Sequence, residues 1–193
     1  DQSNTLVAEA VARGDDPRVR DAFGWTPLLK SALNAPDIGL VPFALLVPFY
    51  DEEELLFSIP VFRREEDKST AALVFLASGK IVSKEASNLC ERIWNKNKSA
   101  AFSAALKLTV RPESVDPRSL FEVCLRGGKG HFSLGEPYLK LFLDASAKIL
   151  SETPEYAPLV AAVLSKRVEK AFEDKYLGDD IIESGEKLKG IVA

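Results

Sequence analysis

Asp21-Ala22-Phe23-Gly24-Trp25-Thr26-Pro27-Leu28, with Ala32 four residues further on, is the stretch on which the reading of this 193-residue chain turns. Gly24 permits a positive φ in a tight turn. Thr26 offers a hydroxyl to cap a following helix, and Pro27 takes its first position, where no amide donor is needed. Leu28 and Ala32 then lie on one helical face and point into a core, the small alanine letting a paired helix approach. On the N-terminal side, Leu6, Val7, Ala10 and Val11 have helical spacing and run into Gly14-Asp15-Asp16-Pro17, a helix followed by a glycine loop. On the C-terminal side, Asn34-Ala35-Pro36-Asp37 reads as a turn, and Val41, Leu45 and Leu46 as a second helix.

Further along, helix starts and stops recur. Ser83 can cap a helix whose Ala86, Leu89, Cys90 and Ile93 form one apolar stripe. Asp116-Pro117 opens another, carrying Leu120, Phe121, Cys124 and Leu125 and stopping at Gly127-Gly128. Leu139, Phe142, Leu143, Ile149 and Leu150 form a stripe opened near Glu136-Pro137, with polar Ser146 inside it. Thr153-Pro154-Glu155 starts a longer helix with Leu159, Val160, Val163, Leu164, Val168, Ala171 and Phe172, ending around Leu177-Gly178. A last polar helix is expected over Asp180 to Lys189.

Strand signals are fewer. Phe57 to Phe62 is the best of them, weakened by Pro60, which cannot donate to a ladder. Ala71 to Leu76 is a short apolar run that reads as buried helix rather than strand. The expected fold is therefore all-α, stacked helix pairs; the alternative is α/β with a small sheet built from Leu55 to Phe62, Ala71 to Leu76 and Ala105 to Val110. Short helices beginning near Thr26, Thr70, Ala100 and Phe132 place the later intervals near a helix-pair repeat length, although the first interval is too long. Residues 1–49 form one segment, and 50–193 a helical region that either packs on it as diverged repeats or stands as a separate domain.

Bulk properties narrow the function. Hydrophobic residues make up 46% and charged residues 28%, the balance of an ordinary globular protein. A net charge of −4 argues against a nucleic-acid binder, which shows a basic face. The longest apolar run, Ile38 to Phe49, is interrupted by Pro42 and Pro48 and falls short of the ~20 residues a membrane span needs. The opening Asp1-Gln2-Ser3-Asn4 lacks the charged-then-apolar layout of a signal peptide. Cys90 and Cys124 read as reduced, buried thiols, with a disulfide or redox pair as the alternative, and so point to a reducing, cytoplasmic or otherwise intracellular compartment. Methionine does not occur; a loss of methionine positions would shorten spacings by one residue, which the mass of the intact chain tests.

The stretch from Asp21 to Ala32 resembles the opening of an ankyrin repeat, Asp-x-x-Gly-x-Thr-Pro-Leu and then Ala. The resemblance extends over residues of about 5 to 47, little more than one repeat. Two positions depart from the family: Leu29 stands where histidine is frequent, so the usual threonine–histidine hydrogen bond is missing, and Lys30 stands where an apolar residue is common. No second Thr-Pro-Leu follows residue 50. One repeat cannot bury its own apolar face and needs neighbours. Because the chain opens within what reads as a second helix, Asp1 is expected to be a cut edge of a longer protein.

The resemblance implies a module that binds another protein through the turn and the first helix, at Ala22, Phe23, Trp25, Leu33 and Asn34. Phe23 and Trp25 also qualify on their own, since aromatics flanking a rigid turn make good anchors; the competing reading packs them on a neighbouring element. Asp51-Glu52-Glu53-Glu54 reads as the solvated first turn of a helix, or as an acidic dock for a basic partner. Arg63 to Lys68 reads as a solvated loop, Lys96-Asn97-Lys98 as a patch too brief for nucleic acid, and Trp94 as core. Arg126 to His131 lacks the Gly-Lys-Ser/Thr ending of a phosphate loop. With His131 the sole histidine, no zinc spacing exists and a triad has one possible base. No catalytic, metal-binding or cofactor-binding residue is expected, and no small-molecule substrate. The rival reading is an α/β secretion- or import-type chaperone, or an enzyme of unknown reaction.

Overall fold

The computed structural model describes residues 2–109, 114–126, 144 and 146–158. Among them every regular element is helical, and the runs that alternatively read as strands are helix: Leu55 to Val61 spans a helix end and a 3₁₀ turn, and Ala71 to Leu76 and Ala105 to Leu108 lie inside helices. Over the described residues the all-α expectation holds and the small sheet does not. Short apolar runs carry no period that separates the two states, and burial of every side of the 71–76 run accounts for its composition.

In chain order the helices are α1 (Gln2–Ala12), α2 (Pro27–Ile38), α3 (Val41–Leu46), α4 (Glu52–Ser58), α5 (Glu65–Ala77), α6 (Lys84–Trp94), α7 (Lys98–Leu108) and α8 (Pro117–Arg126). Residues 146–152 are helical as well, followed by a 3₁₀ turn at Pro154–Tyr156. Helix ends follow the local chemistry. Gly14 closes α1 at φ +80°, with its N–H to the Val11 carbonyl at 3.0 Å and that of Asp15 to Ala10 at 3.0 Å, the paired bonds of a glycine C-cap. Thr26 Oγ1 accepts from Leu29 N at 3.3 Å to start α2. Asp51 and Glu54 form a reciprocal capping box on α4. Ser83 caps α6 through Ala86 N, and Asp116 caps α8 through Ser119 N at 2.9 Å.

Two expectations are corrected. Asn34 to Asp37 is not a turn: α2 runs on to Ile38 with Pro36 inside it. Pro36 removes one ladder donor, yet Ala35 is sealed in the core and Gly39 N–H returns to its carbonyl at 2.9 Å, so packing overrides the local turn signal. The second helix expected at Val41, Leu45 and Leu46 is present as α3, whose core face is Phe43, Ala44 and Leu46, with Val41 and Leu45 half-buried. The charged run Arg63 to Lys68 is a loop only as far as Arg64. Glu65, Glu66 and Asp67 form the acidic first turn of α5, and Lys68 pairs with Glu65 at 2.6 Å.

At the centre lies α5, whose stretch from Ser69 to Phe75 is buried on every side beyond its charged first turn. It packs against α6, α7 and α8, while α2 meets α3 and α1 meets α3. One apolar cluster joins these contacts, from Leu28 through to Tyr156. Phe43 of α3 meets Phe62 edge-on at 4.8 Å between ring centres and Phe75 of α5 at 5.6 Å, so the core is continuous across the expected segment boundary at residue 49. Trp94 is core, as expected. The expected helix near Phe132, the stripe residues Leu139 to Leu143, the Gly127-Gly128 stop, the loop through His131, and the helices over 159–177 and 180–189 lie outside the described residues.

Candidate functional site

Asp21 builds the turn that the sequence singled out. Its Oδ1 accepts from Phe23 N at 2.8 Å and Trp25 N at 2.9 Å, while its backbone pairs with Gly24 and Trp25. Gly24 supplies the required φ of +80°. Lys30 Nζ reaches Asp21 Oδ2 at 2.7 Å, and this hydrogen bond, more than any other contact, holds the Asp21 carboxyl below its ordinary value. Arg20 braces the far side through the Gly24 carbonyl at 2.9 Å. The tip is thus tied down by both strands of the turn and by the helix that follows it.

This frame sorts the five expected contact residues. Ala22 is exposed, and Phe23, 87% exposed, projects from the rigid tip. Trp25 is half-buried. Leu33 and Asn34 sit along α2, both half-buried, and the Asn34 amide donates to the Lys30 carbonyl of its own helix. The turn brings Ala22, Phe23 and Trp25 together; the other two stand apart from that tip along the helix.

Beside the turn lies a cleft of about 170 Å³ lined by Arg20, Thr26, Leu28, Leu29, Tyr50, Glu53, Glu54 and Phe57. Residue-level reading missed Phe57, which is 67% exposed on α4. Its only signal is membership of a run with a weak strand pattern, and what reveals it is the helical spacing from Glu53. Tyr50 forms the wall: it is buried, donates its hydroxyl to the Pro17 carbonyl and has Arg18 over its ring at 5.8 Å. Arg18 in turn bonds the Phe49 carbonyl at 2.9 Å and Glu54 at 2.9 Å, locking the loop before the turn onto α4.

Across Tyr50 is a broader hollow of about 430 Å³, lined by Arg18, Pro48, Phe49, Tyr50, Asp51, Glu52, Gly79, Lys80 and Val82. Its charges are engaged in holding the chain. Lys80 donates to the Pro48 carbonyl at 2.6 Å, and Glu52 accepts from Val82 N and Ser83 N at 2.5 and 2.8 Å. Among the described residues no three of His, Cys, Asp and Glu gather as a metal site requires, and no helix is long and apolar enough to cross a membrane. Cys90 and Cys124 are free thiols in the core; burial pushes Cys90 up to about 12 and Cys124 well above its ordinary value. Set against known proteins, the chain matches no family model, no curated protein and no solved structure.

Proposed function

We propose that this chain is a non-catalytic protein–protein interaction module that binds another protein through its turn tip and helix faces, with Ala22, Phe23, Trp25, Leu33 and Asn34 as the contact set. One observation carries the reading: a turn held by Asp21, Lys30 and Arg20 presents Phe23 almost fully to solvent. An exposed phenylalanine has no value to folding, whereas on a rigid support it enters a partner's pocket with little entropy left to lose.

The same reading takes residues of about 5 to 47 as an ankyrin-like unit within stacked helix pairs. It is supported by the positive φ of Gly24, the Thr26 cap, and the burial of Leu28 and Ala32. Further along, α5 touches α6, α7 and α8, so the solenoid reading leans on the first stretch alone. A reducing, intracellular location goes with it, supported by two unpaired core thiols.

The test is retention of proteins from the native cytosol on immobilised wild-type chain and on Phe23→Ala, with thermal melting of both. A partner held by the wild type and lost from Phe23→Ala, at an unchanged melting temperature, is the expected result. Equal retention by both would remove the turn tip from the binding surface, and a Phe23→Ala chain that fails to fold would make Phe23 a packing residue.

A further inference from the structure

One wall of the hollow across Tyr50 is the connection between α5 and α6: Gly79, Lys80 and Val82 line it together with Pro48, Phe49 and Tyr50. Gly79 leaves α5 at φ +70°, with open space where a Cβ would stand. Ile81 packs partly against the core, whereas Val82 is 84% exposed. The N–H groups of Val82 and Ser83 both end on one carboxylate oxygen, Oε2 of Glu52 in α4, at 2.5 and 2.8 Å. A second fastening runs from Lys80 Nζ to the Pro48 carbonyl at 2.6 Å. Amide bonds to a carboxylate are roughly twice as strong as neutral ones, and they lose that advantage when the carboxyl takes a proton.

Hydrogen bonds from Ser83, through its side chain first and then its backbone, and from Val82 hold the Glu52 carboxyl below its ordinary 4.5. Around it stand Asp51 of its own turn, Arg18 and Lys80 in the lining of the hollow, and the Cys90 thiol of α6, with Lys84 and Glu85 in that helix's first turn. Among the described residues no cation comes within ion-pair distance of Glu52, so its charge is met by the connection it holds.

We propose that residues 79–83 form an acid-released strap: ionised Glu52 holds it shut, and protonation of Glu52 frees Val82 and Ser83 to swing about Gly79 and open the hollow lined by Pro48 and Phe49. The latch is complete above pH 4.5, the value that the released carboxyl takes, and fails as pH falls through the lower, latched value. Opening is local, because α5 on one side and Cys90 on the other are sealed in the core. Ile81 and the Lys80 bond make the shut position the resting one.

Amide hydrogen exchange of the full chain, followed by NMR from pH 7 to well below 4.5 and corrected for the intrinsic pH dependence of exchange, tests the strap. Protection of Val82 and Ser83 should be flat above pH 4.5 and fall below it, while Ser78, bonded to the Val74 carbonyl, and the amides of α5 keep theirs. Glu52→Gln, which keeps the shape and loses the charge, should lower protection of Val82 and Ser83 about tenfold at pH 7 and leave it independent of pH. Glu53→Gln, the exposed neighbour on the same turn, should change neither. Strap protection left intact by Glu52→Gln, an equal loss in Glu53→Gln, or release only together with the amides of α5 overturns the proposal. Val82 and Ser83 amides that exchange without protection at pH 7 overturn it as well.

Discussion

Asp21 is the residue on which the turn depends, and its ionisation gives a pH signature. Because the Lys30 hydrogen bond favours the carboxylate, the folded-state value lies below the ordinary 3.8. The contribution is therefore fully present above that value and is lost as pH falls through the lower, folded one. Urea midpoints of the wild type and Lys30→Ala should differ at pH 7 and converge as the pH falls below 3.8. At Gly24 the obstacle is conformational rather than spatial: a Cβ would meet nothing within 4 Å, but φ is +80°. Gly24→Ala should cost about 1–2 kcal/mol in chemical denaturation. Phe23 and Trp25, equivalent in the sequence, part company here. Phe23→Ala should move stability by less than about 0.5 kcal/mol, as surface changes do, whereas half-buried Trp25 should cost measurably more when truncated. Cys90 and Cys124 should resist alkylation at pH 8 in the folded chain and react once urea unfolds it, because burial suppresses the thiolate.

At the level of elements, α2 and α5 were legible to different degrees. The start of α2 follows from side-chain chemistry within four residues, Thr26 to Leu29, and needs nothing else. Its end does not, since Asn34, Pro36 and Asp37 favour a turn and only the burial of Ala35 keeps them helical. Thr26→Ala should cost about 1 kcal/mol as a lost cap. The position of α5 was less legible still, because its charged first turn imitates a loop and its apolar remainder imitates a strand. Leu73 there is fully buried, so Leu73→Ala should cost about 2–5 kcal/mol, well beyond any surface change, in urea unfolding.

Over the whole molecule, the contacts of Phe43 with Phe62 and Phe75 bear on whether residues 1–49 stand alone. Leu28, Phe43 and Val47 belong to the same cluster as α5. A fragment of residues 1–49 would expose those faces, and is expected to show no cooperative thermal transition while the full chain does. Trypsin cutting at exposed Arg63 or Arg64 should leave the two pieces associated on gel filtration, since the contact of Phe43 with Phe75 spans the cut.

The sequence by itself determined the helical class, the turn at Gly24, the caps at Thr26, Ser83 and Asp116, and the inward face of Leu28 and Ala32. Each of these rests on interactions within a few residues, which local chemistry dictates. Only the tertiary structure decided which helix occupies the centre, how far α2 continues, and that Phe57 of one helix stands beside the turn of another to make a cleft. Those outcomes depend on contacts between positions some thirty residues apart, such as Arg18 with Phe49 and Glu54, and no spacing rule along the chain encodes them.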